Sequence, residues 1–596
     1  MSPRRRKMEK NDLKRIRKET EMNMKRMAIV AIVGLAALCE IGIGCSKNAT
    51  DADANLEADA AVDAVAAAYE AKMYDSALSQ LNDAHLDGNA RAMMYRALMY
   101  LEGNGLPQDR KMSRRLLERS VKAGYDLSGI VLAALSGNDG IIGKSEEKAE
   151  KNRIVLSVRE CLLRISERGH VRLRGNYEFK MFEEILTLMM KTSPQTIGAV
   201  APKLLGDIYA KGIVGVPPDM EKAGAMYCNA AAISRKNGEW KDECRYLEKA
   251  IKYGSIEARA RLGIRLLQGK GVAKNTDRAK TLICPEDDDA PGAAYALWAE
   301  IVCRGLDKRK WIISDADDAL NAYMEAAAFL NGKKVHIIST AKDLNEDCQD
   351  ELSQLIKAEK VGGKRCSDLV AVLKKDGILP FIQDWFAADP DLGSKVLMIG
   401  VPDFWIVGGY VPVPSNLAFV GMRSKTRIVP EGWTGEGENE KLQKIWARLN
   451  KRVDVGKKLP KNEILRRRWV RQRFGMIANN AAFLLAEAGR DADALDICGA
   501  IVELIDPDNV SAIFNAFEIV RRMKNPNAEV KQAVEKKLKQ IGDDPKKRHQ
   551  RWTLSRSYGY VYNAEIFAKM GYAWAKSGAF DMAKGAKGAS GLKMKK

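Results

Sequence analysis

The sequence is poor in the residues that most metal sites and disulfide scaffolds require. Its 596 residues include four histidines and ten cysteines. Catalytic zinc sites use two or three histidines at fixed spacing, and His85, His170 and His336 show no such spacing. Disulfide scaffolds are short chains in which cysteine exceeds roughly 8% of residues. The scarcity argues against a histidine-rich metalloenzyme and a disulfide framework, although Cys228 and Cys244 are either one isolated pair or two free thiols.

Motifs for nucleotide binding and hydrolysis are also absent. The chain has no G-x-x-x-x-G-K-[ST], H-E-x-x-H, G-x-S-x-G or C-x-x-C pattern. The glycine pairs Gly103/Gly105 and Gly269/Gly271 lack the preceding strand and the third glycine of a phosphate loop. We therefore expect no enzyme activity, no cofactor and no metal.

The apolar run Met27–Leu38 follows a basic segment, residues 1–26, with eleven Lys or Arg against four Asp or Glu. The run is shorter than the ~20 apolar residues of a membrane span, and Glu40 interrupts it. A basic segment, a short apolar segment and small residues before a cysteine resemble a bacterial lipoprotein signal. That resemblance implies lipidation of Cys45, and Ser46 after it implies the outer membrane, facing the periplasm. An uncleaved N-terminal anchor and a cytoplasmic protein remain as alternatives.

Three stretches of the chain share one spacing of residue types. Each has a small residue, an apolar or aromatic residue three positions later, two turn glycines, and then Asp or Asn. These positions are Ala97, Tyr100, Gly103, Gly105 and Asp109; Gly206, Tyr209, Gly212, Gly215 and Asp219; and Gly263, Leu266, Gly269, Gly271 and Asn275. Glycine permits a positive φ in a turn, and Asp or Asn accepts hydrogen bonds from the first N–H groups of a helix. The spacing predicts a helix, a tight turn and a second, closely packed helix.

This motif resembles the Sel1-like repeat, a helical-hairpin relative of the tetratricopeptide repeat. The resemblance covers roughly residues 88–332, including a weaker fourth copy between Trp298 and Gly332. It implies an all-α fold, an α-solenoid of stacked hairpins, because each repeat contacts mainly its neighbours. Proteins of this type are typically adaptors, so it also implies a protein or peptide partner on the concave repeat surface.

A second region, residues 480–509, resembles the parent tetratricopeptide repeat. Gly489 stands between the two helices, Ala494 is the small residue of the second, and Pro507 lies in the break before the next helix. This copy carries about one extra residue between Ala494 and Pro507. Residues 571–583 look like a partial last copy.

Residues 380–433 differ from the rest, because Val, Ile and aromatic residues alternate there with Gly and Pro. That composition favours extended segments or ordered loops over helix. An alternative function, a cell-envelope enzyme or cell-wall-binding factor, would have its site here. Asp403, Glu431 and Glu436 are the carboxylates available to it, and no spacing pairs them.

These observations divide the chain into six parts, of which two are helical blocks. They are a basic segment with signal at 1–44, a polar tether at 45–60, a Sel1-like helical block at 61–375, an irregular or β-containing insertion at 376–438, a tetratricopeptide-like helical block at 439–583, and a flexible tail at 584–596.

The net charge of +20 is concentrated in two places. Residues 1–44 carry eleven positive and five negative charges, so losing them leaves about +14. Residues 440–473 carry thirteen positive and three negative charges, a net of +10. The densest part of this segment is the group Arg466, Arg467, Arg468, Trp469, Arg471 and Arg473.

Basic residues interleaved with aromatics are typical of nucleic-acid sites, and arginine also recognises phosphate and carboxylate. For an exported protein, anionic lipid, lipopolysaccharide or an acidic protein is the better expectation. The plainer alternative is a solvated helix face with Trp469 and Phe474 against the next helix. The sequence thus predicts a non-enzymatic, lipid-anchored scaffold for protein–protein interaction in the cell envelope; a cytoplasmic nucleic-acid adaptor is the remaining alternative.

Overall fold

The computed structural model describes residues 52–543, except for short gaps. The gaps are 83–85, 87, 136–155, 157, 169–172, 193, 342–345, 390, 401–404, 406–408, 424–428, 431 and 456–458. The signal, Cys45, the partial copy at 571–583 and the tail at 584–596 lie outside the described residues. The described part is predominantly helical and divides into two compact units, residues 1–274 and 275–596. The predicted helical repeat fold is confirmed.

The first unit consists of helices that pack against their neighbours in sequence. They are α1 Ala52–Glu70, α2 Tyr74–Leu81, α3 Ala90–Glu102, α4 Arg110–Lys122, α5 Asp126–Leu135, α6 Gly175–Thr192, α7 Pro194–Ile197, α8 Val200–Lys211, α9 Met220–Lys236, α10 Trp240–Lys252 and α11 Ile256–Gln268, with residues 158–168 also helical. Helix α3 packs on α4, α8 on α9, and α9 on α10. This is the sequential packing of a solenoid.

Residues 52–60, which the sequence assigned to a tether, are part of α1. The part of the predicted tether that the structure describes is therefore helical. The polar residues of this stretch suggested a tether, but the stretch is also rich in alanine, the residue with the highest intrinsic helix propensity.

The predicted turns have the expected backbone and caps. Gly103 and Gly105 have φ of 76° and 72°, in the left-handed region that suits glycine. The Asp109 carboxylate accepts hydrogen bonds from the backbone N–H groups of Lys111 and Met112, at 2.9 and 3.0 Å. Asp219 caps α9 in the same way through the Lys222 N–H at 3.0 Å. The turn is thus built from local interactions that the sequence already shows.

Two glycines allow helices of the first unit to approach closely. A Cβ placed on Gly206 would lie 3.2 Å from the Tyr227 ring. A Cβ on Gly271 would lie 2.1 Å from the Trp240 carbonyl oxygen, at the start of α10. Gly271 also has φ of 75°. Its lack of a side chain is therefore required twice, by the turn and by the contact.

The second unit combines a small sheet with helices on either side of it in sequence. Its elements are α12 Thr276–Ile283, α13 Ala293–Arg304, β1 Trp311–Ser314, α14 Asp318–Leu330, β2 His336–Ser339, α15 Glu346–Ala358, α16 Cys366–Asp376, α17 Ile378–Ala388, α18 Leu392–Lys395, β3 Val396–Ile399, β4 Tyr410–Ser415, β5 Ala418–Arg423, α19 Glu438–Leu449, α20 Lys461–Glu487, α21 Asp491–Ala500, α22 Val510–Arg522 and α23 Ala528–Asp543.

The five strands form one sheet in the order β2-β1-β3-β5-β4. Strand β1 pairs in parallel with β2 and β3, while β5 pairs antiparallel with β3 and β4. Helix α14 connects β1 to β2, as parallel pairing requires a crossover. The β-containing insertion is confirmed, but its sheet takes β1 and β2 from residues that the sequence assigned to the helical block.

Two further boundaries differ from the sequence prediction. Ile378–Ala388 is the helix α17, although residues 380–433 were expected to avoid helix. The predicted fourth repeat, from Trp298 to Gly332, contains β1 between its two helices. Four-residue strands carry too little periodicity to be distinguished from a turn, and their pairing partners are distant in sequence.

The C-terminal hairpin of α20 and α21 has the predicted turn at Gly489, where φ is 80°. The extra residue expected before Pro507 is accommodated by a π-helical turn, Ile501–Ile505. Such turns are typically single insertions in an α-helix. Asp506 follows it, only 7% exposed, and its Oδ2 has no hydrogen-bond partner among the described residues.

Replacement of Gly271 tests the helix contact. Gly271→Ala is expected to lower the free energy of unfolding by about 2–4 kcal/mol, because strain in φ adds to a clash with backbone atoms. Gly254→Ala is the matched control, since Gly254 has φ of 84° but open space around it. Its expected cost is only about 1 kcal/mol. Equal urea midpoints for the two variants would contradict the close contact at Trp240.

The buried Asp506 predicts a pH effect on stability. Burial, and then the Asp508 charge, raise the pKa of Asp506 to about 6, whereas the unfolded side chain has its ordinary pKa of 3.8. Between these values the native state binds a proton that the unfolded state lacks, so stability falls as pH rises from about 4 to 6.

Asp506→Asn should remove this pH-dependent loss of stability and stabilise the protein at pH 7 by roughly 1–2 kcal/mol. The measurement is urea unfolding of both proteins at several pH values. Parallel pH profiles for the two proteins would show that Asp506 has no such role.

Candidate interaction surfaces

The repeat residues singled out in the sequence are structural rather than ligand-binding. Ala97, Gly206 and Gly263 are buried in their helices. The backbone carbonyl of Tyr100 accepts a hydrogen bond from the Asp109 N–H at 2.9 Å, and Asp219 and Tyr209 make the equivalent bond at 2.7 Å. Gly105, Gly212, Gly215 and Gly269 all have positive φ in the turns. At the C-terminal hairpin, Ala494 is buried in α21.

A buried carboxylate, Glu178 of α6, is the centre of a polar network in the first unit. Its partners are the Arg91 guanidinium, the hydroxyls of Tyr95 and Tyr125, and the Arg174 backbone N–H, the last at 2.8 Å. Burial, and then the Glu178 charge, raise the pKa of both tyrosines, so they donate as neutral phenols. Because each Glu178 oxygen accepts two bonds, the network holds helices together and leaves no acceptor for a substrate.

Two buried cysteines of the first unit are free thiols. Cys228 and Cys244 are not bonded to each other: the Cys228 Sγ lies 3.0 Å from the Ser255 hydroxyl, and the Cys244 thiol donates to the Lys270 carbonyl. Burial raises the pKa of Cys228 to about 12 and that of Cys244 to about 11. A thiol with so high a pKa is a poor nucleophile at neutral pH.

Arg467, at the centre of the predicted basic patch, is fully buried. Its guanidinium donates to the backbone carbonyls of Asp454 and Asp288, at 2.9 and 3.0 Å. It also forms ion pairs with Glu463, at 3.4 Å, and with Asp289, at 3.7 Å. The acidic loop at 287–289 is thus a counter-charge for α20. Arg467 is not available to an external anion.

Three other arginines of the patch also have partners within the protein. Arg473 forms an ion pair with Asp315 at 2.6 Å, Arg471 donates to the carbonyls of Leu504 and Ile505, and Arg466 lies 3.5 Å from Glu463. Arg468 is exposed.

Trp469 and Phe474 pack on helices that precede α20 in the chain, α13 and α19, whereas the plainer alternative placed them against the next helix. Trp469 lies edge-on to Tyr295 and Trp298. Phe474 stacks on Trp446 with ring centroids 5.3 Å apart. They are therefore not arranged as a platform on which nucleic-acid bases stack.

Four further cations, each with a carboxylate partner in the protein, meet between α13 and α19. Arg304, Lys441, Lys444 and Arg448 line a groove of about 360 Å³ that also contains Glu440. Arg304 is 66% exposed and Lys444 is 80% exposed. Three of the four lie within the basic segment 440–473, but Arg304 is distant in sequence. The sequence indicated the charge here without indicating which side chains would share one surface.

The sheet of the second unit brings Asp315 and Gly400 together at the carboxyl ends of β1 and β3. The Asp315 N–H donates to the Ile399 carbonyl at 3.2 Å, and a Cβ on Gly400 would overlap the Asp315 carboxylate. Burial raises the pKa of Asp315 above its ordinary value, and the positive charge of Arg473 partly opposes this rise. Sequence reasoning missed this pair, because parallel pairing creates it.

Asp403 and Glu431 lie outside the described residues, and Glu436 is exposed. Across the described part of the chain, no group of three or more His, Cys, Asp or Glu residues could hold a metal ion. No helix in that part is long and apolar enough to cross a membrane.

The contrast between Arg467 and Arg468 can be tested directly. Arg467→Met is expected to destabilise the protein by about 3 kcal/mol, because the buried Glu463 loses one of its two arginine partners and the Asp454 and Asp288 carbonyls lose a donor. Arg468→Ala, one residue away and exposed, should change stability by less than about 0.5 kcal/mol. The measurement is urea unfolding; similar midpoints would show that Arg467 is not buried as described.

Comparison with known proteins identifies the repeats. The family model described as "Sel1 repeat" matches residues 90–125, 203–232 and 256–282, which contain the three predicted motifs. No curated protein matches the chain.

Similar solved structures include a Sel1 repeat protein from Oxalobacter formigenes, 15% identical over 37% of this chain and 81% of that one, with a TM-score of 0.18. Another is a protective antigen of uropathogenic Escherichia coli strains that displays an SLR fold. It is 14% identical over 92% of this chain and 98% of that one, with a TM-score of 0.20. Both TM-scores are too low to support a conclusion about this chain. The family match is specific: the chain contains three Sel1 repeats between residues 90 and 282, and Sel1-repeat proteins generally act as protein-interaction scaffolds.

Proposed function

We propose that this protein is a non-enzymatic interaction scaffold of the bacterial cell envelope, anchored by lipid on Cys45, whose repeat helices bind a protein partner. The observation that carries the proposal is the set of three Sel1 repeats, each matched in sequence at its helices and turn. Repeat hairpins expose the outer faces of many helices, so that a partner can be bound over an extended surface.

The carboxylate and the two thiols described above suit a structural role better than a catalytic one. The buried carboxylate Glu178 is fully engaged, and the thiols of Cys228 and Cys244 are protonated at neutral pH. A general base or nucleophile needs a pKa near the working pH and an accessible position.

The membrane part of the proposal rests on the sequence of residues 27–46. Lipid on Cys45 would hold the repeats at the outer membrane on its periplasmic side. The exposed cations of the groove between α13 and α19 suit contact with anionic headgroups or lipopolysaccharide phosphates, since arginine and lysine both bind phosphate.

Labelled fatty acid tests the anchor. The wild-type chain expressed in a two-membraned bacterium is expected to incorporate labelled palmitate and to fractionate with the outer membrane. Cys45→Ala should abolish the label, whereas Cys39→Ala, in the same segment, should retain it. An unlabelled wild type would refute the lipid anchor but leave the scaffold proposal standing.

Affinity purification from envelope extract tests the scaffold. Wild-type protein should retain one or more partners in stoichiometric amount, and Gly271→Ala should lose them as its repeat packing weakens. Gly254→Ala serves again as the control. Absence of any stable partner with the wild type would overturn the scaffold function.

A further inference from the structure

A groove of about 450 Å³ lies in the first unit, apart from the charged surface that the sequence indicated. The helix at 158–168 forms one wall, the start of α8 forms the floor, and α10 forms the other wall. Every lining residue belongs to the first unit and to the described part of the chain. The volume is within the range of sites that bind small ligands or a few side chains.

Four cations line the groove: Arg159, Lys203, Arg245 and Lys249. Glu239 is its one acidic lining residue. Arg159 is exposed. The side chain of Arg245 is 62% exposed and forms an ion pair with Asp242 at 2.8 Å, a surface contact that a ligand carboxylate could exchange with. Lys203 is 19% exposed and Lys249 39% exposed, lower in the groove.

The two lysines share a single counter-ion. The Lys203 and Lys249 ammonium groups lie 3.1 and 3.4 Å from the Asp207 carboxylate, and the Tyr227 hydroxyl donates to it as well. Burial opposes ionisation of Asp207, but the Tyr227 hydrogen bond and both lysine charges keep its pKa below the ordinary value. One carboxylate therefore balances two cations, and positive charge remains for a partner.

Apolar side chains also line the groove. Ile197 and Val200 are buried beneath it, and Leu163, a large apolar side chain at the wall, is 38% exposed. Gly198 has φ of 66°, and a Cβ there would lie 3.7 Å from the Arg159 Nε. An occupant would thus meet cations on both walls and the exposed hydrocarbon of Leu163 on one of them.

This combination fits a polypeptide segment better than a membrane or a nucleic acid. A flat bilayer surface cannot enter a concave groove, and anionic lipid is bound mainly by open cationic surfaces. Nucleic acid requires exposed aromatic rings or many phosphate contacts; Tyr246, the aromatic lining residue, is buried and covered by Arg245, whose guanidinium carbon lies 5.2 Å from the ring centroid.

We propose that this groove binds an acidic segment of the protein partner, with glutamate or aspartate side chains paired to Arg159 and Arg245 and an apolar side chain against Leu163. The inference rests on the proposed scaffold function and specifies the chemistry of its partner. Electrostatic complementarity of this kind contributes to specificity and to the association rate.

Fluorescence anisotropy of the full-length protein in nonionic detergent tests the proposal. The probe is a fluorescein-labelled oligoglutamate peptide with one central leucine, compared with its oligolysine counterpart. We expect saturable binding of the acidic peptide alone, weakened several-fold between about 50 and 300 mM NaCl as screening increases. Arg159→Glu combined with Arg245→Glu should weaken binding by at least about tenfold.

Lys111→Glu combined with Arg115→Glu is the matched control, because both residues are exposed on α4, outside the groove. It makes the same change in net charge and should bind the peptide like the wild type. Circular dichroism melting of each variant shows that folding is preserved. Equal losses in the two double variants, or no loss in the groove variant, would overturn the proposal.

Anionic phosphatidylglycerol vesicles and single-stranded DNA are the competing probes. If either binds more tightly than the peptide and depends on Arg159 and Arg245, the groove takes a different class of partner and the proposal is wrong. The affinity purification distinguishes a failure of the groove proposal from a failure of the scaffold proposal. A partner retained equally by the groove variant leaves the scaffold standing and refutes this groove, whereas peptide binding without any envelope partner refutes the scaffold.

Discussion

Close contact between helices at the glycine turns is the constraint on which the repeat region of the first unit depends. At Gly271 the turn backbone lies against the Trp240 carbonyl, and at Gly206 the helix lies against the Tyr227 ring. A side chain at either position would separate the elements that the repeat brings together. Helices that lie further apart bury less apolar surface. The distance between the helices therefore determines how much of their alanine- and leucine-rich faces is removed from water. The caps at Asp109 and Asp219 then satisfy the N–H groups that each turn exposes.

Buried charge is the second requirement, and each unit meets it in its own way. In the first unit, Glu178 is balanced by Arg91 and by neutral phenols. In the second, Arg467 is balanced by Glu463 and by the loop at 287–289. Both solutions join residues far apart in sequence. An isolated buried ion is too costly to retain, so these charges serve the fold and are not open to ligands. The net charge of a segment is consequently a poor guide to its binding surface.

The parts of the structure that depend on local interactions were predictable. Turn glycines, capping residues and small residues at helical spacing act within about ten positions of one another, and the three repeats, their caps and the turn at Gly489 followed from them. The strands β1 and β2 were not predictable, because each is four residues long and is stabilised by pairing with distant residues. The same holds for Arg467: nothing in Arg466–Arg468 distinguishes the buried arginine from its exposed neighbour until α20 packs.

The sequence by itself determined the helical repeats, the positions of their turns and the concentration of positive charge at residues 440–473. Tertiary structure alone decided that five short segments form one sheet, which arginines are neutralised, and which cations meet in a groove. The physical reason is the distance along the chain over which each interaction acts. Helix caps and positive-φ turns are satisfied by neighbours along the chain, whereas strand pairing, desolvation of an ion and the assembly of a charged groove depend on which distant residues the packing brings together.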